Sequence, residues 1–145
     1  MNILFVCTGN TCRSPMAELY FNRLCRIQGI PAHASSCGVA TVDGLPISEN
    51  AEKVMNFMGI DASGFRSSSA TLQIISNADI IFTMTASHAA ALLRKFPQAE
   101  EKTAVLLENT DVPDPFGMDF ETYLYTFNSM KQRIEQLAQI IKETK

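Results

Sequence analysis

The sequence predicts an α/β fold: a doubly wound, four-stranded parallel sheet with helices on both faces, in a single domain over residues 1–145. Short apolar runs alternate with longer segments of helical periodicity, a pattern typical of βαβ units with right-handed crossovers. The length of 145 residues suits one compact domain. Hydrophobic residues make up 46% and charged residues 19%, so the chain is expected to bury a core without disulfides or metal.

Four apolar segments have the length and composition of strands. They cover residues 2–6, 32–39, 78–84 and 103–107. The first, Asn2-Ile-Leu-Phe-Val6, is apolar without alternation, which indicates a strand buried on both faces of a parallel sheet.

Four helices are predicted between and after these strands. Ser14 is expected to cap the first, with Pro15 in its opening turn and Gly29 at its end. The others cover residues 48–58, 86–96 and 120–142, and apolar residues recur at helical spacing along the last. Gly59 is expected to stop the second helix.

The loop between the first strand and the first helix carries the strongest functional signal, Cys7-Thr-Gly-Asn-Thr-Cys-Arg-Ser14. Backbone N–H groups at a helix start, together with the helix dipole, form an anion cradle. Gly9 is expected to permit a backbone shape that a side chain would forbid, and Asn10 tolerates the left-handed region. Arg13 provides a planar fork for two oxygens of a phosphoryl group.

The same surroundings favour a reactive thiolate at Cys7. In-line attack of this sulfur on phosphorus spreads charge over three equatorial oxygens, which the loop N–H groups and Arg13 would stabilise. The sequence therefore predicts a phosphatase with Cys7 as covalent nucleophile, and no metal or cofactor is required.

A second segment, Asp114-Pro115-Phe116-Gly117, supplies a candidate general acid. Asp114 would protonate the leaving atom and then activate water to hydrolyse the phosphocysteine. Phe116 would form one wall of the entrance. Asp111 is the nearest alternative carboxylate, and is interpreted as a solvated loop charge.

The segment Phe5-Val-Cys-Thr-Gly-Asn-Thr-Cys-Arg-Ser-Pro-Met-Ala-Glu18, with the late Asp-Pro, resembles the low-molecular-weight protein tyrosine phosphatases over essentially the whole chain. The resemblance implies Cys7 as nucleophile, Arg13 as phosphate ligand and Asp114 as general acid. It also implies that Ser14 assists the departing thiolate, and that Cys12 can pair with Cys7 under oxidation. The predicted substrate-binding residues are Thr8, Gly9, Asn10, Thr11, Cys12, Ser14 and Phe116.

Two details are closer to the bacterial protein-arginine phosphatases of this family. Thr11 stands where tyrosine phosphatases usually carry an apolar β-branched residue, and Phe116 and Gly117 stand where they usually carry tyrosines. Phosphoarginine is therefore the predicted substrate, and phosphotyrosine the alternative.

The chain also departs from the family pattern. Phe65 replaces a histidine that helps to tether the loop asparagine, whereas Ser36 matches the other tether. The family's Ala-Gly after Ser36 is Cys37-Gly38 here. The loop is therefore expected to lack one of its usual supports.

Two further function classes have weaker support from the sequence. A thioredoxin-coupled arsenate reductase on this fold needs two further cysteines after the third strand, and residues 82–89 contain none. A non-catalytic phosphate-binding module would not need Cys7, Arg13 and Asp114 together. His33 and His88 lack nearby ligand partners, so a structural or surface role is predicted for both.

Composition limits the partners and the location. The net charge of −3 without a basic stripe argues against nucleic acid, and no apolar stretch approaches the roughly 20 residues of a membrane helix. The start shows no signal peptide, and the four cysteines match no common zinc pattern. The prediction is a monomeric cytoplasmic protein with reduced thiols that acts on phosphorylated proteins.

Overall fold

The computed structural model describes residues 1–144. The strands are β1 (Asn2–Cys7), β2 (His33–Gly38), β3 (Ile80–Thr83) and β4 (Thr103–Val105). The helices are α1 (Arg13–Gln28), α2 (Glu49–Phe57), α3 (Leu72–Asn77), α4 (Ala86–Lys95) and α5 (Phe120–Glu143), and a 3₁₀ helix covers Pro97–Lys102. Every predicted strand and helix is present, with its ends shifted by at most a few residues.

The four strands form one parallel sheet in the order β2-β1-β3-β4. The chain moves from β1 to β2 on one side and then returns to place β3 on the other side of β1. In such sheets the strand order reverses next to the first strand, and ligands bind there, beyond the carboxyl ends. The fold prediction is confirmed, and it places the loop after β1 at this position.

Successive residues of β1 point to opposite faces of the sheet, as the pleat requires. Ile3 and Phe5 pack into a core with α1, α2 and α5, whereas Leu4 and Val6 pack into a second core with α3 and α4. Both faces of the strand are covered, which explains its uninterrupted apolar sequence.

The predicted start of the first helix is wrong in one respect. α1 begins at Arg13, Cys12 occupies the cap position, and no side chain caps the helix. Ser14 lies inside the first turn, where its hydroxyl contacts the Cys7 sulfur instead of the helix backbone. Gly29 ends the helix in the left-handed conformation, with φ of 67°, as predicted.

α3 was not predicted. It has six residues, too few to show a helical period, and Thr71 caps it by accepting from the Ile74 N–H at 3.2 Å. None of the helices within residues 1–144 is both long and apolar enough to cross a membrane.

Candidate active site

Cys7 is the last residue of β1 and is buried at the carboxyl end of the sheet. Its sulfur lies 2.8 Å from the Ser14 Oγ, and the Asn10 backbone N–H donates to it at 3.3 Å. Donors that point at sulfur stabilise negative charge on it. The local geometry therefore suits a thiolate nucleophile.

Asn10 gives the loop its shape. It has φ of 57°, in the left-handed region, and it is fully buried. Its Nδ2 donates to Ser14 Oγ and Ser36 Oγ, each at 2.9 Å, and its Oδ1 accepts from the Ser68 backbone N–H at 2.8 Å. These three bonds stabilise a conformation that asparagine tolerates better than most residues.

The expectation for Gly9 is wrong. Its φ is not positive, and a Cβ at this position would approach nothing closer than Thr11 Oγ1 at 3.8 Å. The unusual backbone conformation lies one residue later, at Asn10. Phe65 is buried in the core, and the Ser68 amide supplies a tether that the sequence did not reveal.

Arg13 begins α1 and is only 5% exposed. Its Nη1 donates to the Val112 carbonyl at 3.2 Å, while the Val112 N–H donates to the Met84 carbonyl at 2.9 Å. The guanidinium is therefore anchored to the segment that carries Asp114, the candidate general acid, and that segment is anchored to the end of β3.

Asp114 reaches the same site from the loop between β4 and α5. Its Oδ2 lies 3.9 Å from Arg13 Nη2, and 61% of its side chain is exposed. Its Oδ1 accepts from the Phe116 N–H at 3.1 Å, which turns the loop sharply. Asp111, in contrast, accepts a hydrogen bond of 2.9 Å from the Ala86 N–H at the start of α4. It was expected to be a solvated loop charge, and this contact gives it a structural role as well.

A cavity of about 270 Å³ brings nine of the ten predicted site residues together. Its lining consists of Cys7, Thr8, Gly9, Asn10, Thr11, Cys12, Arg13, Asp114 and Phe116. Ser14 does not line the cavity, but it contacts Cys7 from the α1 side. Phe116 stands at the rim with 76% of its surface exposed.

His88 is a site neighbour that sequence reasoning did not connect with the loop. It is buried in α4, and its Nε2 lies 2.7 Å from Thr8 Oγ1. Burial lowers the pKa of His88 to about 4, and the positive charge of Arg13 adds to the effect. A neutral imidazole therefore supports the loop, from a position 80 residues away along the chain.

Gly38 is a second residue that the sequence analysis missed as a support of the site. A Cβ here would lie 2.5 Å from the Thr8 carbonyl oxygen and 2.8 Å from Thr41 Cγ2. The end of β2 thus approaches the loop too closely for any side chain. In the sequence, a glycine at the carboxyl end of a predicted strand indicates that another backbone segment approaches closely there.

Only two of the four cysteines line the cavity. The Cys12 sulfur lies 3.2 Å from the Tyr123 hydroxyl and 3.5 Å from Ser48 Oγ. Burial and, next, the charge of Cys7 raise the pKa of Cys37 to about 12, and burial raises the pKa of Cys25. Cys25 and Cys37 are therefore protonated thiols in the core.

A larger cavity of about 650 Å³ lies along the second half of α1. Arg23, Arg26 and Asp61 are among its lining residues, and its cysteine is the buried Cys25. Because the Cys25 thiol is protonated, this cavity offers no candidate nucleophile. Among residues 1–144, no three His, Cys, Asp or Glu side chains are grouped so as to hold a metal ion.

Comparison with known proteins agrees with this geometry. Residues 2–145 match the family model described as low molecular weight phosphotyrosine protein phosphatase. A protein-arginine-phosphatase from Bacillus subtilis (strain 168) is 32% identical over 148 residues, covering 99% of this chain and 98% of that protein.

Two solved structures have similar folds over nearly the whole chain. One is a YwlE arginine phosphatase mutant with a phosphorylated active-site serine, with a TM-score of 0.95, 31% identity and coverage of 98% of this chain and 96% of that one. The other is a low molecular weight protein tyrosine phosphatase from T. tengcongensis, with a TM-score of 0.92, 37% identity and coverage of 96% and 98%. Sequence, fold and site geometry agree that this chain belongs to the low-molecular-weight phosphotyrosine protein phosphatase family.

Proposed function

We propose that this chain is a protein phosphatase that hydrolyses phosphoarginine on proteins through a phosphocysteine intermediate. The observation that carries the proposal is one cavity lined by a buried cysteine, a buried arginine and an exposed aspartate, Cys7, Arg13 and Asp114. The names of the relatives supply the substrate class.

In the first step the Cys7 thiolate attacks phosphorus and forms a P–S bond. The P–N bond to the arginine guanidine breaks, and Asp114 gives its proton to the departing nitrogen. Arg13 and the loop N–H groups stabilise the charge that develops on the phosphoryl oxygens.

In the second step water attacks the phosphocysteine. Asp114, now ionised, accepts a proton from the water as the P–O bond forms. The P–S bond breaks, and Cys7 departs with the electron pair as a thiolate. Ser14 Oγ, at 2.8 Å from the sulfur, is placed to donate a hydrogen bond to that thiolate.

Thr11 supports phosphoarginine over phosphotyrosine. It lines the cavity that holds Cys7 and also a neighbouring groove, which Thr41 and Leu45 line as well. Thr11 therefore lies at the rim, where the substrate side chain would extend from the phosphoryl group toward solvent. A threonine hydroxyl accepts a hydrogen bond from a guanidine N–H, directly or through water, whereas an isoleucine packs against an aromatic ring. Phe116 can stack on the guanidine plane.

The decisive experiment compares wild type with Thr11→Ile on phosphoarginine and phosphotyrosine peptides of the same sequence. We expect the kcat/KM ratio to shift toward phosphotyrosine by about tenfold or more, roughly 1.4 kcal/mol, the scale of one polar contact at a partly buried site. Thr11→Val, which has the shape of threonine without its hydroxyl, is the matched variant. A wild type that prefers phosphotyrosine would show that the tyrosine-phosphatase alternative is right, and an unchanged ratio would show that Thr11 does not set the selectivity.

An arsenate reductase and a phosphate-binding module both have less support than a phosphatase. A relayed disulfide reductase would need accessible cysteines near Cys7, but Cys25 and Cys37 are buried thiols outside the cavity. A chromogenic aryl phosphate distinguishes an enzyme from a phosphate-binding module, because a binding module would not release the aryl alcohol.

The proposal also includes redox sensitivity. Cys7 and Cys12 both line the cavity, five positions apart in one tight loop. Mild peroxide is expected to join them reversibly, with peroxide as the oxidant and the two thiols oxidised to one disulfide. Mass spectrometry that finds only irreversible Cys7 sulfinic acid, with Cys12 free, would contradict this expectation.

We further propose that the protein is cytoplasmic and monomeric. The support for the location is the set of four free thiols, which suits a reducing compartment. The support for a monomer is that one chain carries every residue to which the mechanism assigns a role.

A further inference from the structure

Glu18 is a partly buried carboxyl group that the proposed mechanism does not use. It lies on α1, four residues after Ser14. Burial raises the pKa of Glu18 to about 7, and the hydrogen bond from Ser36 offsets only part of that effect. Within residues 1–144 no basic side chain lies within 4.0 Å of it. Carboxylates withdrawn from water are normally paired, so this one needs a reason.

A chain of hydrogen bonds leads from Glu18 to the nucleophile. Ser36 Oγ donates to Glu18 Oε1 at 2.6 Å, and Asn10 Nδ2 donates to Ser36 Oγ at 2.9 Å. Asn10 Nδ2 also donates to Ser14 Oγ at 2.9 Å, and Ser14 Oγ lies 2.8 Å from the Cys7 sulfur. Four short contacts thus join the carboxylate to the sulfur.

The direction of each bond in this chain follows from its neighbours. The Ser68 backbone N–H can only donate, so the atom of Asn10 that faces it must be the carbonyl oxygen. The NH₂ group of Asn10 therefore faces both serines. Each serine oxygen accepts one of its hydrogens, which leaves each hydroxyl proton free for another acceptor.

Each of the two hydroxyl protons then has one acceptor within hydrogen-bond distance. The Ser14 proton points at the nucleophilic sulfur, and the Ser36 proton points at Glu18. Without an acceptor at position 18, the Ser36 hydroxyl would turn toward another partner and compete for the orientation of the Asn10 amide. The Ser14 hydroxyl would lose its fixed direction as a result.

We infer that Glu18 is a positioning residue for the phosphatase reaction: as the last acceptor of this chain, it holds the Ser14 hydroxyl in the orientation that donates to Cys7. The inference rests on the proposed function. No proton moves along the chain. Its effect falls on the second step, in which the P–S bond breaks and Cys7 takes the electron pair, because that is when the sulfur gains negative charge.

The test uses Glu18→Leu, which removes the acceptor, and Glu18→Gln, which keeps an acceptor oxygen. Stopped-flow assays with a chromogenic aryl phosphate separate the burst, which reports phosphocysteine formation, from steady-state kcat. We expect Glu18→Leu to lower kcat by about fivefold or more while the burst rate changes by less than about twofold. Glu18→Gln should restore kcat to within about twofold of wild type.

A double-mutant cycle shows whether Glu18 acts through Ser14. In a Ser14→Ala background, Glu18→Leu should leave kcat unchanged within about twofold, because the hydroxyl that it orients is gone. Glu135→Gln is the matched control, since Glu135 also accepts from a hydroxyl on α1, that of Tyr20, but has no path to Cys7. If Glu18→Leu does not fold, Ser36→Ala breaks the same chain at its next link.

Three results would overturn the role of Glu18 alone: equal losses in burst rate and kcat, additive losses in the Ser14→Ala background, or no recovery in Glu18→Gln. A wild type that releases no aryl alcohol would instead overturn the proposed function itself. Urea unfolding of each variant separates these outcomes from a loss of folded protein.

Discussion

The Nε2 atom of His88 lies 2.7 Å from the hydroxyl of Thr8, the residue that follows Cys7. His88 belongs to α4, which covers one face of the sheet, whereas the loop after β1 leads into α1 on the other face. The contact therefore joins this loop to the helix layer on the face away from α1. Burial beside Arg13 keeps the imidazole neutral in the fold, with a pKa of about 4.

His88→Ala is expected to loosen the loop, because it leaves the Thr8 hydroxyl without its partner and opens a space in α4. We expect kcat/KM to fall by about fivefold or more, with unfolding free energy lower by about 1–3 kcal/mol. The activity profile between about pH 6 and 8 should keep its shape, since a neutral histidine does not titrate there. Thr8→Val breaks the same contact, and a double variant much worse than either single one would contradict this account.

Cys7→Ser is expected to abolish turnover while the fold and phosphate binding persist. A serine oxygen is a weaker nucleophile than sulfur, and once phosphorylated it is a much poorer leaving group, so the second step would stall. Steady-state assays should show a loss greater than about a hundredfold, roughly 2.7 kcal/mol of barrier. Residual activity above that level, in protein free of wild-type contamination, would rule out the covalent mechanism.

Asp114→Asn is expected to slow the reaction most for substrates with poor leaving groups. A phenolate leaving group of low basicity departs without a proton, whereas an alkoxide or a guanidine leaving group needs one. The measurement is kcat/KM across a series of phosphate esters with leaving groups of graded basicity. An equal loss for every ester would indicate that Asp114 only positions Arg13, which lies 3.9 Å away.

Gly38→Ala is expected to disturb the loop through a steric contact. The added Cβ would lie 2.5 Å from the Thr8 carbonyl oxygen, so either β2 or the loop must move. We expect a loss of about 1–3 kcal/mol in unfolding free energy and weaker phosphate binding. Gly64→Ala is the control, since a Cβ at that position meets nothing within 4 Å. Wild-type phosphate affinity in Gly38→Ala would show that the loop adapts without loss.

Glu18 is expected to give the protein a measurable dependence of stability on pH. Its pKa is about 7 in the fold, against an ordinary value of 4.5, so the unfolded chain ionises first as pH rises. The contribution of Glu18 to stability is therefore complete below about pH 4.5 and is lost as pH rises through 7. The loss is on the order of 3 kcal/mol.

Urea unfolding of wild type and Glu18→Gln at several pH values measures this effect. The variant cannot ionise at this position, so its stability relative to wild type should increase between about pH 4.5 and 7.5. A constant difference over that interval would mean that Glu18 titrates normally in the fold.

The sequence by itself determined the fold class and most of the candidate site. Apolar runs alternating with helical segments are local patterns, and they were sufficient to place all four strands and four of the five α-helices. Cys7, Arg13 and the residues between them lie in one short segment between a strand and a helix. Their spacing alone therefore predicted the anion-binding loop.

Only the tertiary structure decided how that loop is supported. The tether from Ser36 was expected from the family resemblance and is confirmed. Three further supports were not expected: Gly38, Ser68 and His88 contact the loop because the fold brings the end of β2, the segment before α3, and α4 together at the carboxyl edge of the sheet. The left-handed residue was placed at Asn10 and not at Gly9 for the same reason, since its amide is held by partners remote in sequence. Hydrogen bonds between distant segments leave no periodicity or spacing in a single sequence, so the physical origin of the loop's rigidity became visible only in the folded chain.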